Sequence, residues 1–492
     1  MFEDAPVNTG AVQWPDTDSA FWTVRRTQLK LHRWASEDHT RRFGDLFNLV
    51  YDPAFLMHAW ERVSTNAGAR TAGMDRVTVA QIVARGGVEV FLGQIRDLLK
   101  SGKYEPVQVR RVTIPKASGK LRQLGIPTVA DRVVQASLKA VLEPIFEADF
   151  ASCSYGFRPN RRAQDAIAEI HFLGSHFHEW VLEADIQACF DEIGHTPLLA
   201  RVRKRIKDKR VLGLVRAFLK SGVMTTSGAF EDTLTGTPQG GILSPLLANI
   251  ALSTLDDHFD RQRRELMSND QQRAQRKRRG LGNWKLVRYA DDFVVMVSGQ
   301  CGHAEALREE AAAALAPMGL RLSPEKTRVV HIDEGFDFLG FHIRRRRKRG
   351  TLKQCVYTTP SRKAVQMAKD KVRWKTRRST LHLSLAELLT SLNQTLRGWA
   401  NYFRHGVSSR AFHHLDQHAW WRVVGWLRAK HKGKTRLGWK ELRRRFCDQG
   451  RRFASEGVVF TGASSVKVIR YRYRGSIIRT PWTPTPAAAT SG

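Results

Sequence analysis

Apolar residues between positions 43 and 343 follow a helical spacing in some segments and an alternating spacing in others, which is typical of a mixed α/β body. One helix is predicted to begin at Asp131 and to be interrupted by Pro144, because proline lacks the N–H that a helix interior uses. A second helix is predicted to begin at Ser244, where Pro245 occupies the first turn without losing a hydrogen bond. We interpret the apolar faces of both helices as ordinary core.

Strand-like segments in this body end or turn at polar residues. Residues 110–127 predict a hairpin with two β-rich arms around residues 117–119, and they lack the spacing of a Gly-Lys phosphate loop. The segment LVRYADDFVVMVS, at 286–298, predicts a second hairpin with two adjacent aspartates at its tip. The segment WVLEADI, at 180–186, predicts a buried strand that ends at Asp185.

The C-terminal part of the chain has the clearest helical pattern. Residues 384–406 carry leucines on one face, Ser384 and Glu387 form a capping-box pattern, and Gly406 is a candidate C-cap. The basic run RRRRKR at 344–349 follows an apolar strand and is interpreted as a junction, with a solvated turn as the alternative. A separate helical domain is therefore predicted.

The chain is accordingly divided into four regions. Residues 1–42 are predicted to be a partly ordered extension, 43–345 the α/β body, 346–435 the helical domain, and 436–492 a basic tail with a disordered end. The polar stretch 261–283 is predicted to be a solvated insertion in the body.

The charge balance indicates a polyanionic partner. The 492 residues include 81 Lys and Arg against 47 Asp and Glu, a formal net charge of +34. Self-repulsion of this size is best tolerated when a polyanion neutralises it, and a solubilising surface accounts for only a few units of charge. Nucleic acid is therefore the leading candidate partner, and the basic tail is a possible DNA-contacting segment.

Other features narrow the class of protein. The five cysteines include no CxxC pair, which argues against a zinc ribbon and favours a reducing cytosol. The N-terminal residues MFEDAPVNTG place acidic residues where an export signal needs positive charge. No run of about 18 apolar residues occurs, so a membrane role is not expected.

Acidic residues at strand ends are the candidate chemistry. Asp291 and Asp292 lie between hydrophobic arms, where adjacent carboxylates are costly unless they are exposed in a turn or bind cations. An exposed turn is a common explanation of such a pair. Asp185, at the end of an apparently buried strand, adds a third carboxylate. Oxygen ligands without Cys or His at ligand spacing suit Mg²⁺, and two such ions about 4 Å apart can promote phosphoryl transfer.

A set of motifs in one order identifies a family resemblance. The chain resembles the reverse transcriptases encoded by group II introns, also called intron maturases, over roughly residues 43–435. The motifs are GMD at 73–75, IPK and LGIPT around 114–128, YGFRP at 155–159, Asp185 with Phe190, TPQGGILSPLLANI at 237–250, YADD at 289–292, LSPEKT at 322–327, FDFLGF at 336–341 and LRGWANYF at 396–403.

The resemblance implies a right-hand polymerase. Its fingers and palm, the palm of ferredoxin-like βαββαβ type, would precede an α-helical thumb that holds the intron RNA. Asp185 and Asp291 would ligate two Mg²⁺ ions, with the Ile186 carbonyl as a further ligand, and Asp292 would complete the acidic cluster.

The resemblance also implies two sets of binding residues. Nucleotide-binding positions would be Lys116, Arg122, Phe190, Gln239 and Lys326. RNA- or template-binding positions would be Arg158, Gly240, Arg397 and Tyr402.

Simpler interpretations of these residues stay open. The ring of Phe190 would exclude a 2′-hydroxyl and select deoxynucleotides, or it would be core. Lys116 and Arg122 suit phosphate, or are surface cations on a hairpin. The simpler interpretation of Lys326 is a solvated lysine, and the simpler interpretation of Arg158 is a residue that supports the fold.

The function implied by the resemblance is RNA-directed DNA synthesis together with assistance to intron splicing and mobility. The partners would be intron RNA, RNA template, DNA primer or target, and deoxynucleoside triphosphates, in a bacterial cytosol and nucleoid. No HNH endonuclease is expected, because the tail lacks paired cysteines and histidines. A splicing factor with a decayed polymerase, and a relative serving phage defence or CRISPR adaptation, are the alternatives.

Overall fold

A computed structural model gives the arrangement of most of the chain. It describes residues 12–115, 121–224, 230–231, 235–237, 240–431, 438–448 and 452–483. No described helix combines the length and the apolar character needed to cross a membrane.

Helices and strands alternate through the body and give way to helices beyond it. The helices are α1 (Thr17–Glu37), α2 (Phe47–Val50), α3 (Pro53–Ser64), α4 (Val79–Arg85), α5 (Gly87–Lys100), α6 (Val129–Glu147), α7 (Ala163–Ser175), α8 (Cys189–Glu192), α9 (His195–Arg203), α10 (Lys209–Lys220), α11 (Ser244–Leu266), α12 (Asp270–Arg278), α13 (Cys301–Leu315), α14 (Arg362–Lys375), α15 (Leu385–Phe403), α16 (Ser409–Lys430) and α17 (Trp439–Phe446). The strands are β1 (Val109–Pro115), β2 (Leu121–Ile126), β3 (Trp180–Asp185), β4 (Val223–Met224), β5 (Phe230–Glu231), β6 (Asn283–Tyr289), β7 (Asp292–Ser298), β8 (Arg328–His331), β9 (Phe336–Phe338), β10 (Phe341–Arg347), β11 (Gln354–Pro360), β12 (Cys447–Asp448), β13 (Arg452–Ser455) and β14 (Val458–Val459).

The central sheet has the order β6-β7-β3-β8, with every neighbouring pair antiparallel. Helices α8 to α12, together with the short strands β4 and β5, connect β3 to β6, and α13 connects β7 to β8. This chain order, βαββαβ, together with the strand order is the ferredoxin-like arrangement, so the predicted palm architecture is confirmed.

The central sheet is packed on both faces, which explains why its two inner strands, β3 and β7, are largely apolar. Leu182 and Ala184 of β3 belong to one hydrophobic core, shared with α1, α3, α6 and α11. Val181, on the opposite face, belongs to a second core shared with α7, α15 and α16. Because successive side chains of a strand point to opposite faces, one short strand joins both cores. The sheet is therefore held rigidly from two sides.

The hairpin predicted at 110–127 is confirmed, since β1 and β2 pair in antiparallel register. Helix α6 follows it, but Pro144 does not interrupt this helix, which continues to Glu147. Proline cannot donate to the carbonyl of Ala140. The side chain of Gln28, on α1, donates to that carbonyl at 2.9 Å instead, so the group left free by proline is satisfied by a distant helix.

The capping box of α15 is confirmed, with the Glu387 N–H donating to Ser384 Oγ at 3.2 Å and the Ser384 N–H donating back to the Glu387 carboxylate. Gly406 is not its C-cap, since the helix ends at Phe403. A Cβ built on Gly406 would lie 2.7 Å from the Thr358 carbonyl oxygen, so close packing requires this glycine.

Two polar segments have more regular structure than predicted. The first four arginines of the run at 344–349 belong to β10, which pairs with β11 along its whole length, so they are not a junction. Arg345 is held there by hydrogen bonds to the Asp333 carboxylate. In the stretch 261–283, α11 continues to Leu266, and α12 then follows with none of its residues buried.

The two ends of the described chain meet. Within the predicted extension, α1 is capped by Asp16 and buries one apolar face in the first core. The segment from 466 to 483 has no regular secondary structure and ends against α1, where Trp482 Nε1 donates to Gln28 Oε1 at 3.0 Å. The Trp482 ring packs beside His32 and is 4% exposed. Trp482 lies in the stretch predicted as disordered, and residues 484–492 of that stretch lie outside the described residues.

Replacing Trp482 by alanine should lower the free energy of unfolding by roughly 3–5 kcal/mol, since a buried ring that joins the two ends is lost. Thermal melting of Trp482→Ala measures this loss. Trp22→Ala is the matched control, because Trp22 lies on the same helix α1 but is 60% exposed. Equal melting temperatures for the two variants would contradict the role of the C-terminal segment.

Candidate active site

Two strands bring distant acidic residues to one place. Asp185, the last residue of β3, lies directly opposite Asp292, the first residue of β7. Tyr289 pairs with Asp292 across the hairpin, so Ala290 and Asp291 form a two-residue turn. The structure therefore brings the three predicted carboxylates together at one end of the central sheet.

The cluster is electrostatically strained. Burial, followed by repulsion from Asp291 and a hydrogen bond with Asp185, raises the pKa of Asp292 to about 7. On the other side, the Lys326 ammonium donates to the Asp185 carboxylate. This hydrogen bond raises the pKa of Lys326. A small cavity of about 280 Å³ opens at this point, lined by Asp185, Asp292 and Lys326.

The chemistry of these residues fits a divalent cation. Within the described ranges, no group of three acidic, histidine or cysteine side chains already has the arrangement of a metal site. Asp185 is nonetheless paired with a cation, Lys326, and burial together with the neighbouring negative charges raises the pKa of Asp292. Oxygen donors that need positive charge are the ligands that Mg²⁺ prefers.

Phe190 lies on the short helix α8, which follows directly from the end of β3. Its side chain is buried, and the ring of Phe157 meets it edge-on at 6.3 Å between centroids. Phe157 has a left-handed backbone (φ 57°), and its ring is 49% exposed. A strained, exposed aromatic residue that contacts Phe190 is a functional candidate that the sequence analysis missed. Its only signal is its place in the YGFRP motif.

The loop before α11 approaches the β1–β2 hairpin closely. Gly240 has φ 114°, and a Cβ built there would lie 2.5 Å from the Gly125 carbonyl oxygen, so no other residue fits. Arg122 lies on β2 opposite Ile114, but its side chain is outside what the structure describes. Lys116 and Gln239 lie outside the described residues altogether.

Arg158 does not face the cluster. Its guanidinium donates to both oxygens of Glu147, at 2.7–3.1 Å, and the two side chains are 3% and 1% exposed. A guanidinium buried against a carboxylate cannot reach a template strand. The structure thus corrects the template-binding prediction and favours the alternative, in which Arg158 supports the fold.

The two thumb candidates differ in their surroundings. Arg397 is exposed on α15. The Tyr402 hydroxyl donates to the Leu339 carbonyl at 2.9 Å, which ties α15 to the turn between β9 and β10. Burial raises the pKa of Tyr402 to about 12. Arg397 is thus available to a polyanion, whereas Tyr402 joins two parts of the protein.

Comparison with known proteins gives matches to two family models and to several relatives. Residues 114–343 match the family described as reverse transcriptase (RNA-dependent DNA polymerase), and residues 365–446 match the group II intron, maturase-specific domain. Protein YkfC of Escherichia coli K12 is 38% identical over 375 residues, which cover 72% of this chain and 97% of that protein. The group II intron-encoded protein LtrA of Lactococcus lactis is 31% identical over 477 residues, covering 82% of this chain and 78% of that protein.

The raised pKa of Asp292 predicts how stability depends on pH. Between pH 3.8 and about 7 the folded chain keeps a proton that the unfolded chain has lost, so stability falls as the pH rises through this window. Asp292→Asn removes this dependence. In EDTA, the difference in melting temperature between Asp292→Asn and the wild type should therefore be a few degrees larger, in favour of the variant, at about pH 8 than at about pH 5. Asp270→Asn, at a fully exposed carboxylate, is the control. A difference between Asp292→Asn and wild type that does not change with pH would contradict the assignment.

Proposed function

This chain belongs to the group II intron-encoded reverse transcriptases that carry a maturase domain, and we propose that it copies RNA into DNA at the acidic cluster of the central sheet. The observation that carries this site assignment is the pairing of Asp185 with Asp292 beside the Ala290–Asp291 turn. The position of that pairing, at the open end of a sheet held by two cores, suits a site that must keep its geometry while nucleic acid moves past it.

The proposed mechanism assigns a task to each acidic residue. Asp185, Asp291 and Asp292 would hold two Mg²⁺ ions, with the Ile186 carbonyl as a further ligand. When bound, such ions supply charge that activates the primer 3′-hydroxyl and stabilises the leaving pyrophosphate. The bond from the primer oxygen to the α-phosphorus forms as the bond from that phosphorus to pyrophosphate breaks. The proton of the 3′-hydroxyl and any proton on Asp292 would pass to solvent, and the three carboxylates would keep the reacting groups in line.

Neighbouring residues would bind the nucleotide. Lys326 has an exposed side chain that can exchange its carboxylate partner for a phosphate. Phe190 would support the deoxyribose and exclude a 2′-hydroxyl, with Phe157 fixing the angle of its ring. Lys116, Arg122 and Gln239 remain proposed contacts to the triphosphate or template.

The region beyond the palm would hold intron RNA. We assign residues 43–345 to fingers and palm and 346–435 to the thumb and maturase region, and Arg397 and Gly240 are proposed RNA or template contacts. The net charge of +34 supports a large nucleic-acid footprint. Insertion of the intron by target-primed reverse transcription, in a bacterial cytosol, completes the proposal. Splicing itself would be RNA catalysis, with the protein stabilising the active RNA fold.

Asp291→Ala should reduce primer extension on an RNA template by at least about 1,000-fold, because several kcal/mol of transition-state stabilisation are lost. Binding of intron RNA and assistance to splicing should remain near wild type. Single-turnover extension and a filter-binding assay measure the two activities separately. Asp270→Ala is the surface control, and extension by Asp291→Ala at the wild-type rate would refute the site assignment.

Phe190→Ala should raise the incorporation of ribonucleotides relative to deoxynucleotides by about 10-fold or more, since the clash with the 2′-hydroxyl is relieved. The ratio of kcat/KM for a matched pair of nucleotides measures the effect. Phe177→Ala, which removes a largely exposed ring elsewhere, is the control. An unchanged ratio would assign Phe190 to the core alone.

A further inference from the structure

A fully buried arginine lies on β6 just before the acidic turn. Arg288 is 0% exposed, and its guanidinium donates five hydrogen bonds. Two of them go to Asp256 of α11, including Nε to Oδ1 at 2.7 Å. Two more go to Ser154 Oγ at 2.7 Å and Asn249 Oδ1 at 3.1 Å. The fifth goes to the Ala290 carbonyl at 2.9 Å, inside the turn itself. Every N–H of the guanidinium therefore has an acceptor.

The backbone around Arg288 is fixed as well. Its N–H donates to the Cys153 carbonyl and its carbonyl accepts from the Tyr155 N–H, both at 2.8 Å, so residues 153–155 lie along β6 like an extra strand. The next residue, Gly156, packs directly against the turn, since a Cβ built on it would lie 2.3 Å from the Ala290 nitrogen. The turn thus lies against a rigid backbone on this side.

The turn needs such support because its conformation is unfavourable. Ala290 has φ 58°, and a left-handed backbone costs a residue other than glycine roughly 1–2 kcal/mol. The hydrogen bond from Arg288 holds the Ala290 carbonyl and thereby sets the plane of the peptide that leads into Asp291.

Stability alone does not explain this arrangement. Replacing a buried ion pair by apolar residues of similar volume is often neutral or stabilising. A fully buried arginine on β6 whose guanidinium contacts both α11 and the turn indicates a requirement for geometry.

We propose that Arg288 is a positioning residue for nucleotidyl transfer. Its guanidinium, anchored by Asp256, Asn249 and Ser154, holds the Ala290–Asp291 turn in the conformation that keeps Asp291 beside the Asp185–Asp292 pair. The inference rests on the proposed function of that cluster. It adds a requirement for a fixed turn conformation, which the carboxylates alone do not provide.

The test removes the ion pair without leaving a buried charge. The double variant Arg288→Met with Asp256→Leu should melt within a few degrees of wild type and bind intron RNA with a Kd within about threefold. Its kcat for primer extension should fall about 100-fold, while KM for the nucleotide changes little, because the turn is misplaced by a fraction of an ångström to an ångström. The affinity of the protein alone for Mn²⁺, measured by electron paramagnetic resonance, should fall about 10-fold.

A second variant covers the case in which the double variant does not fold. Arg288→Lys keeps the buried charge beside Asp256 but lacks the planar fork that reaches the turn and α11 together. Like the double variant, it should have a lower kcat and a lower affinity for Mn²⁺ than the wild type. Lys285→Met with Glu169→Leu, another buried ion pair that begins on β6 but does not contact the turn, is the control and should keep wild-type kcat.

The outcomes separate the two proposals. Wild-type kcat and Mn²⁺ affinity in the folded Arg288 variants would overturn the positioning role and leave the polymerase assignment intact. A wild-type protein that fails to extend a primer would instead refute the proposed function itself. If Lys285→Met with Glu169→Leu lost as much kcat as Arg288→Met with Asp256→Leu, the loss would be explained by general disruption of the core, and the positioning role would be overturned.

Discussion

Holding like charges together is the constraint on which the rest of the structure depends. Asp185 and Asp292 face each other on neighbouring strands with Asp291 beside them, and in water such groups would separate. Burial together with that crowding raises the pKa of Asp292, and the ion pair with Lys326 offsets part of the negative charge at Asp185. Only a rigid support can keep such a cluster assembled.

That support is the doubly buried central sheet. Alternate side chains of β3 and β7 anchor it in two separate hydrophobic cores, one shared with α1, α3, α6 and α11 and one shared with α7, α15 and α16. The chain ends contribute to the same frame, since α1 and the C-terminal segment meet through Gln28 and Trp482. Gln28 also satisfies the carbonyl left free by Pro144 in α6. The body and the two ends of the described chain are therefore mechanically connected.

The acidic cluster lies within a strongly basic protein. The net positive charge acts at long range, whereas the negative charge of the cluster acts at contact distance. The net charge of +34 attracts a polyanion over a distance of about a Debye length, roughly 8–10 Å at physiological salt. At contact distance the three carboxylates repel bare phosphate, so in the proposed function cations would mediate the approach of a nucleotide. A strongly basic chain with an acidic centre would therefore attract nucleic acid at long range and leave the reacting phosphate to metal ions.

Much of the molecule is encoded locally. The alternating strands, both hairpins, the capping box of α15 and the order of the family motifs are properties of short segments, and each could be predicted from the sequence because spacing and turn chemistry act over a few residues. Even the meeting of Asp185 with the hairpin tip could be anticipated, because the family's motif order implies a shared sheet.

Tertiary structure alone decided which charged and aromatic residues are buried. The sequence motif suggests that Arg158 contacts the template, but in the structure its side chain is buried against Glu147. Trp482 lies in a proline-rich segment predicted to be disordered, but in the structure its ring packs against α1. Arg288 is one of two basic residues of β6 in the sequence, and only the fold shows that Asp256, Asn249 and Ser154 converge on it. The physical reason is that the free energy of a buried polar group depends on its partners. Most of those partners come from segments far away in the sequence, which no local pattern reveals.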